Sequence, residues 1–366
     1  MKKLFLISIL LIVSLSLILS STITLGEGKK RVIAKASDVD KLVSEGCSVI
    51  KKGKKVASVS CPESVVSAKG LEPDLEVFTV DVSSVQQINA NAVWTLGYNG
   101  TGILIAVLDT GIDTDHVELA DSVAGGWNFI TNTANFEDDN GHGTHVSGII
   151  TANGVNSNAI GVAPGAGVWS GKVLNAQGSG YFSDVIEAIY YVADNVAAEI
   201  ISMSLGTSPP YTYKGSNCDS VLPSLTSAIN YARSKGKSVV AAAGNSGGAG
   251  VSIPGCVSKV ITVGAVDDIN VVTSWSSKGK SLELVAPGVT ILSSVIGGGY
   301  ESWSGTSMAT PHVSAVIALM KQKNSALTPD QVTSKLNSTA TDLGKIGYDN
   351  SYGYGLVNAL AAVNAS

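Results

Sequence analysis

Short, almost wholly apolar runs alternate with helix-patterned stretches along most of this chain, and that alternation restricts its architecture more than any other feature. The strand candidates are Ile103–Leu108, Glu199–Ser204, Ser238–Ala243, Lys259–Val263 and Leu282–Ala286. Helical patterns lie between them, as in Ser183–Val196 and Leu222–Ser234. A strand that is apolar along its length is buried on both faces, and strands separated by helices join a parallel sheet with helices above and below it. In such sheets functional groups collect beyond the carboxyl ends of the strands. Asp109 stands at one such end, and Ser204 and Asn245 stand at or just past two others.

The chain has 366 residues, enough for one large domain and something smaller. Hydrophobic residues make up 45%, which supplies a sizeable core. Charged residues are only 14%, against about 25% in an average soluble protein. The 40 glycines point to tight loops and close backbone contacts. Net charge is −5, with neither a long basic run in the larger part nor interleaved aromatics. No nucleic-acid partner is expected.

Residues 1–26 differ from the rest. A basic start, Met1-Lys2-Lys3, precedes an apolar stretch from Leu4 to Leu19 and then small polar residues. That is the pattern of a secretory signal peptide. A permanent anchor is the alternative, but the run is short against the roughly 20 residues of a span. No A-x-A cleavage pattern stands out. From Gly28 to about Val80 the chain is richer in Lys. Strand-like runs at Arg31–Lys35 and within Cys47–Cys61, a helix over Ser37–Gly46, a second over Pro62–Gly70 and a last strand at Glu76–Val80 read as a small β-α-β-β-α-β module. The four cysteines are Cys47, Cys61, Cys218 and Cys256. An exported chain with an even count permits disulfides. Local pairing, Cys47 with Cys61 and Cys218 with Cys256, follows if a domain boundary separates the pairs; free buried thiols are the alternative.

Three segments could carry chemistry. In Asn140-Gly-His-Gly-Thr-His-Val-Ser-Gly148, His142 and His145 share a helical face. The i, i+4 spacing and the Glu of a zinc-peptidase helix are both absent. Imidazole suits a general base near neutral pH. In Val107-Leu-Asp109-Thr-Gly-Ile-Asp113 a carboxylate directly follows a buried strand. Such a group needs hydrogen bonds or a charged partner. A cap or turn former is the plainer reading, and the D-T-G of aspartic proteases would need a second copy. In Gly305-Thr-Ser307-Met-Ala-Thr-Pro311-His312 a serine stands at the mouth of an apolar helix. There unpaired N–H groups and a partial positive charge favour an exposed nucleophile, although a plain N-capping serine is the commoner meaning. Pro311 suits only a first turn or a kink. Met308 beside that serine would be open to oxidation if exposed.

Taken together, D-T-G-I-D, H-G-T-H-V-S-G and G-T-S-M-A-T-P-H, in that order, resemble the subtilase family. The resemblance runs from about Gln87 to the end and includes Val162-Ala-Pro164, Ser202-Met-Ser-Leu-Gly206, Val239-Val-Ala-Ala-Ala-Gly-Asn245 and Gly353-Tyr-Gly-Leu-Val-Asn358. It implies an α/β, subtilisin-like three-layer fold with a mostly parallel central sheet over residues 81–366. A small α+β, ferredoxin-like propeptide over residues 27–80 would precede it. It implies a secreted serine endopeptidase with Asp109, His142 and Ser307 as triad and Asn245 with the Ser307 N–H as oxyanion hole. Ser204, Leu205 and Gly206 would pair with an extended substrate. That backbone recognition favours broad specificity, and Gly244 and Ser252 would line a pocket without an acid, favouring apolar or aromatic residues. The expected partners are polypeptide substrates and the chain's own propeptide as intramolecular inhibitor, with self-cleavage between about Glu72 and Ser84. The enzyme is expected to be a monomer. A Cys47–Cys61 bridge lies outside the propeptide pattern and would staple a small module, worth about 3 kcal/mol.

The chemistry requires no cofactor, and structural calcium is the ion that the resemblance implies. The family's calcium loop reads TANGVNSNAIGVAP here, with no acid, and Glu118 stands where a ligand Asp often occurs, so no metal ligand is assigned. Ser208–Ser220 looks like an insertion, which a Cys218–Cys256 bridge would tie near the pocket. Rival readings are a non-catalytic relative, an esterase, whose Ser-acid-His order and G-x-S-x-G elbow are absent, and a processing or exopeptidase variant.

Overall fold

The structure is a computed structural model and describes residues 28–74, 83–215 and 217–366. The signal-peptide segment and the strand expected at Glu76–Val80 lie outside the described residues. The chain divides into two compact units, one ending at Val80 and one running from Asp81 to Ser366.

In the first unit the strands Lys29–Lys35, Ser48–Lys52, Val56–Pro62 and Glu72–Pro73 form one sheet. Its pairings are antiparallel, with Lys29–Lys35 between Val56–Pro62 and Glu72–Pro73. The helices Val39–Ser44 and Glu63–Lys69 complete a β-α-β-β-α-β order of ferredoxin-like type. Gly70 ends the second helix in the left-handed region at φ 57°, as a C-terminal glycine does. A small core of Val32, Val39, Leu42, Val59 and their neighbours also buries the Cys47–Cys61 disulfide.

The second unit is built on a seven-stranded sheet. Its strands run in the order Leu284–Pro287, Ile261–Val266, Ser238–Ala242, Ile200–Met203, Leu104–Asp109, Gly167–Lys172 and Val123–Asn128, all parallel. The five strands expected from apolar runs are present, with their ends shifted by at most three residues. Two more, Val123–Asn128 and Gly167–Lys172, were not expected. Their sequences, VAGGWN and GVWSGK, lack a continuous apolar run.

Helices cover both faces. His142–Thr151 and Thr306–Lys323 pack on each other and on the sheet, while Phe182–Asn195 and Pro223–Ser234 form the other layer. The three-layer α/β fold is the one the sequence predicted. Thr306–Lys323 is buried along most of its length, which suits a helix of small and apolar residues with no polar face. The parallel strands all present their carboxyl ends at one edge, where Asp109 ends its strand and Ser204 and Asn245 lie just past two others.

Candidate active site

Asp109 is the last residue of the Leu104–Asp109 strand and is fully buried. His142 is the first residue of the His142–Thr151 helix. His142 Nδ1 lies 2.7 Å from Asp109 Oδ1, which also accepts the Thr110 N–H at 2.8 Å. A carboxylate only accepts, so Nδ1 carries the proton and Nε2 is left free to take one. Burial works against a charged imidazole here. The charge and hydrogen bond of Asp109, with Asp138 further off, outweigh it and hold His142 above the usual range.

The entry to this helix is held tightly. A Cβ on Gly143 would lie 2.1 Å from the Gly111 carbonyl oxygen, so only glycine allows the helix so close to the turn after Asp109. The Gly143 N–H donates to Thr110 Oγ1 at 2.8 Å. Asp138 accepts from the N–H groups of Asn140, Gly141 and Thr144 and from the Thr144 hydroxyl. Burial would raise its carboxyl, but these donors hold it below the usual carboxylate range. Sequence reasoning passed over Asp138. An acid just before a helix start was the available signal.

Ser307 is the second residue of the Thr306–Lys323 helix, whose early N–H groups have no intrahelical partner. Pro311 lies inside that helix rather than in its first turn. Proline has no N–H for the carbonyl four residues back, which belongs to Ser307. The Ser204 hydroxyl donates to that carbonyl instead, at 2.8 Å. In return the Ser307 hydroxyl donates to the Ser204 carbonyl at 3.1 Å. Met308 is only 3% exposed, so the condition for ready oxidation is not met.

Asn245 follows the Ser238–Ala242 strand through a turn at Gly244, whose φ is +100°. Its Oδ1 accepts from the Thr306 N–H at 2.9 Å and the Thr306 hydroxyl at 3.0 Å. The backbone N–H can only donate, so the amide orientation is decided. Nδ2 has no acceptor among the described residues and faces the same cleft.

That cleft has a volume of about 650 Å³ and is lined by His142, Ser307 and Asn245 together with Ser204, Leu205, Gly206, Gly244 and Ser252. Asp109 sits behind His142. The backbone N–H and C=O groups of Leu205 and Gly206 have no partner among the described residues. Ser252 is buried, and its hydroxyl donates to the Thr207 carbonyl at 2.7 Å. A Cβ on Gly244 would lie 2.0 Å from that hydroxyl oxygen. The Cys218–Cys256 disulfide is formed, and the Cys218 N–H donates to the Cys256 carbonyl at 3.0 Å. It ties Cys218 to the chain four residues beyond Ser252.

The other histidines serve elsewhere. His145 stacks on Trp303 with ring centres 4.5 Å apart, and burial pushes it down to about 4. His312 bonds the Met308 carbonyl and is likewise pushed down to about 4 by burial. His116 bonds the Gly299 carbonyl. Among the described residues none of these three has a carboxylate partner.

The implied calcium loop does not fit a cation. The fully buried Glu118 accepts the N–H groups of Gly154 at 2.7 Å, Val155 at 3.1 Å and Asn156 at 2.6 Å, and the Tyr300 hydroxyl at 2.9 Å. Burial opposes its charge, but these donors hold it below the usual carboxylate range. The loop therefore turns N–H groups toward an anion, where a calcium ion needs oxygen ligands.

A buried Asp–His pair, a serine at a helix mouth and a free amide donor, gathered at the carboxyl edge of a parallel sheet, define the class of serine peptidases. The subtilase family model matches residues 100–355. Alkaline elastase YaB of Bacillus sp. (strain YaB) is 40% identical over 294 residues, covering 80% of this chain and 73% of that protein. M-protease of Shouchella clausii (strain KSM-K16) is 41% identical over 295 residues, covering 80% and 73%. Subtilisin Savinase of Lederbergia lenta is 41% identical over 278 residues, covering 76% of this chain and 97% of that protein. The chain belongs to the subtilase family, and it is a serine endopeptidase.

Proposed function

We propose that this enzyme cuts polypeptides through an acyl-enzyme formed on Ser307, with His142 as general base and acid and Asp109 as its partner. The observation that carries the reading is the 2.7 Å Asp109–His142 bond in one cleft with Ser307 and Asn245. For reaction the Ser307 hydroxyl leaves the Ser204 carbonyl that it bonds at 3.1 Å and gives its hydrogen bond to Nε2 across the shared cleft. Oγ then attacks the peptide carbonyl carbon, and its proton passes to Nε2. The oxygen, now negative, is held by the Ser307 N–H and Asn245 Nδ2. Collapse breaks the C–N bond, and the imidazolium returns its proton to the leaving amine. Water repeats the sequence on the acyl ester and frees Ser307.

The unpaired backbone of Leu205 and Gly206 supports substrate recognition by strand addition, which reads backbone more than side chains and favours broad specificity. Gly244 and Ser252 shape the pocket for the residue before the cut, and its uncharged lining favours apolar side chains. Residues 1–26 are proposed as a signal for export, after which the enzyme acts outside the cell as a monomer. Residues 27–80 are proposed as a propeptide that inhibits the enzyme until self-cleavage between about Glu72 and Ser84. Most of that stretch lies outside the described residues.

Intact masses of the chain from Gly28 onward, as wild type and as Ser307→Ala, test this. The wild type is expected to split between residues 72 and 84 while Ser307→Ala stays whole. Equal splitting of both would show an outside protease at work and end the self-processing claim.

A further inference from the structure

Two lysines of the second unit are buried, Lys321 and Lys172. Lys321 bonds the Leu327 carbonyl at 2.6 Å near the end of its own helix, far from the cleft chemistry. Lys172 has no such local task. It ends the Gly167–Lys172 strand, and in the parallel register it lies directly opposite Asp109. A buried ammonium must find hydrogen-bond and charge partners. Lys172 Nζ finds two, the Thr110 carbonyl and, at 2.6 Å, Asp139 Oδ1.

Both partners adjoin the reacting pair. Thr110 follows Asp109, and its hydroxyl holds the Gly143 N–H. Asp139 follows Asp138, which caps the helix that starts at His142. Each of these turns contains glycine in the left-handed region, Gly111 at φ 120° and Gly141 at φ 104°. Such backbone has little stiffness of its own, so the separation of the two turns depends on what bridges them.

We infer that Lys172 is a positioning residue for the peptidase reaction: its ammonium braces the turn after Asp109 against the turn before His142 and so sets the geometry of the pair. The inference rests on the roles proposed for Asp109 and His142. Lys172 touches no substrate, so its loss acts on kcat and leaves KM nearly unchanged. Misplacing a catalytic group by about 1 Å can cost 10²-fold.

The test is steady-state kinetics on a peptide p-nitroanilide with the matured enzyme, comparing Lys172→Met, Lys172→Arg, Asp139→Ala, the Lys172→Met/Asp139→Ala double variant and Ser307→Ala, the last cut between residues 72 and 84 by an outside protease that is removed before the assay. Expected for Lys172→Met is a kcat lower by roughly 10–100-fold with KM within about twofold. Lys172→Arg keeps the cation and is expected to hold kcat within about threefold of wild type. Asp139 is half exposed, so Asp139→Ala folds; it is expected to lower kcat by roughly 3–10-fold, and the double variant to be no worse than Lys172→Met. Unchanged kcat in Lys172→Met and Asp139→Ala, or losses that multiply in the double variant, would overturn the inference. If Lys172→Met does not fold, Asp139→Ala and Lys172→Arg decide, and an unchanged kcat in Asp139→Ala then overturns it. Activity surviving in Ser307→Ala would instead sink the triad reading itself, whatever Lys172 does.

Discussion

At the scale of single residues, the cleft is assembled from groups whose hydrogen-bond partners leave one function free. Asn245 commits its oxygen to Thr306 and keeps its amide hydrogens for the cleft. His142 commits Nδ1 to Asp109 and keeps Nε2. Ser204 fills the bond that Pro311 cannot make. Replacing Asn245 by Ala is expected to lower kcat by roughly 10²–10³-fold with KM little changed, a magnitude that comes from subtilisin rather than from this chain. Kinetics on a peptide p-nitroanilide check it, and a loss carried in KM alone would mean that Asn245 binds substrate and not the transition state. Asp109, His142 and Ser307 were legible only with their three motifs taken together, and Asn245 only through the resemblance that those motifs carry. Asp138 carried only the signal of an acid just before a helix start, which by itself does not distinguish a buried cap from a solvated acid.

At the scale of elements, the loop after the His142–Thr151 helix is closed by Glu118. The same carboxylate reaches Tyr300 in the Ile291–Val295/Gly299–Trp303 hairpin, which leads to Ser307. One anion thus joins the segment after Asp109, the loop after the His142 helix and the hairpin before Ser307. Glu118→Gln would place amide hydrogens against donors and is expected to cost about 2 kcal/mol. That lowers Tm by roughly 3 °C in a unit of this size. Calorimetry on the Ser307→Ala background, which prevents self-digestion, measures it. Equal Tm for the two proteins would mean that the loop closes without the carboxylate. The sequence contained Glu118 and the acid-free loop, but not that the two meet through N–H groups. The strands Val123–Asn128 and Gly167–Lys172 were likewise hidden, since glycines break up the apolar run of each, the first lying half-buried at the sheet edge and the second buried between its neighbours.

At the scale of the whole molecule, the buried histidines make stability depend on pH. His145 and His312 are neutral in the fold down to about 4, whereas in the unfolded chain they take protons near 6.5. Between those values the unfolded chain binds more protons, so stability falls as pH falls, by up to roughly 3 kcal/mol for each group. His142 has the opposite sign: its raised value adds stability as pH falls toward about 6.5, and that gain is complete below it, so it leaves the loss between 6.5 and 4 unchanged. Tm of Ser307→Ala is therefore expected to drop between pH 6.5 and 4, and a flat profile would show that the two histidines are not kept neutral. The sequence by itself determined the layered parallel sheet and the identity of the cleft residues, because apolar runs and short motifs act locally in the chain. Only the tertiary structure decided what the buried charges do. Glu118 finds Tyr300 182 residues away and Lys172 finds Thr110 62 residues away, and a charge taken out of water is defined by the partners that surround it in space.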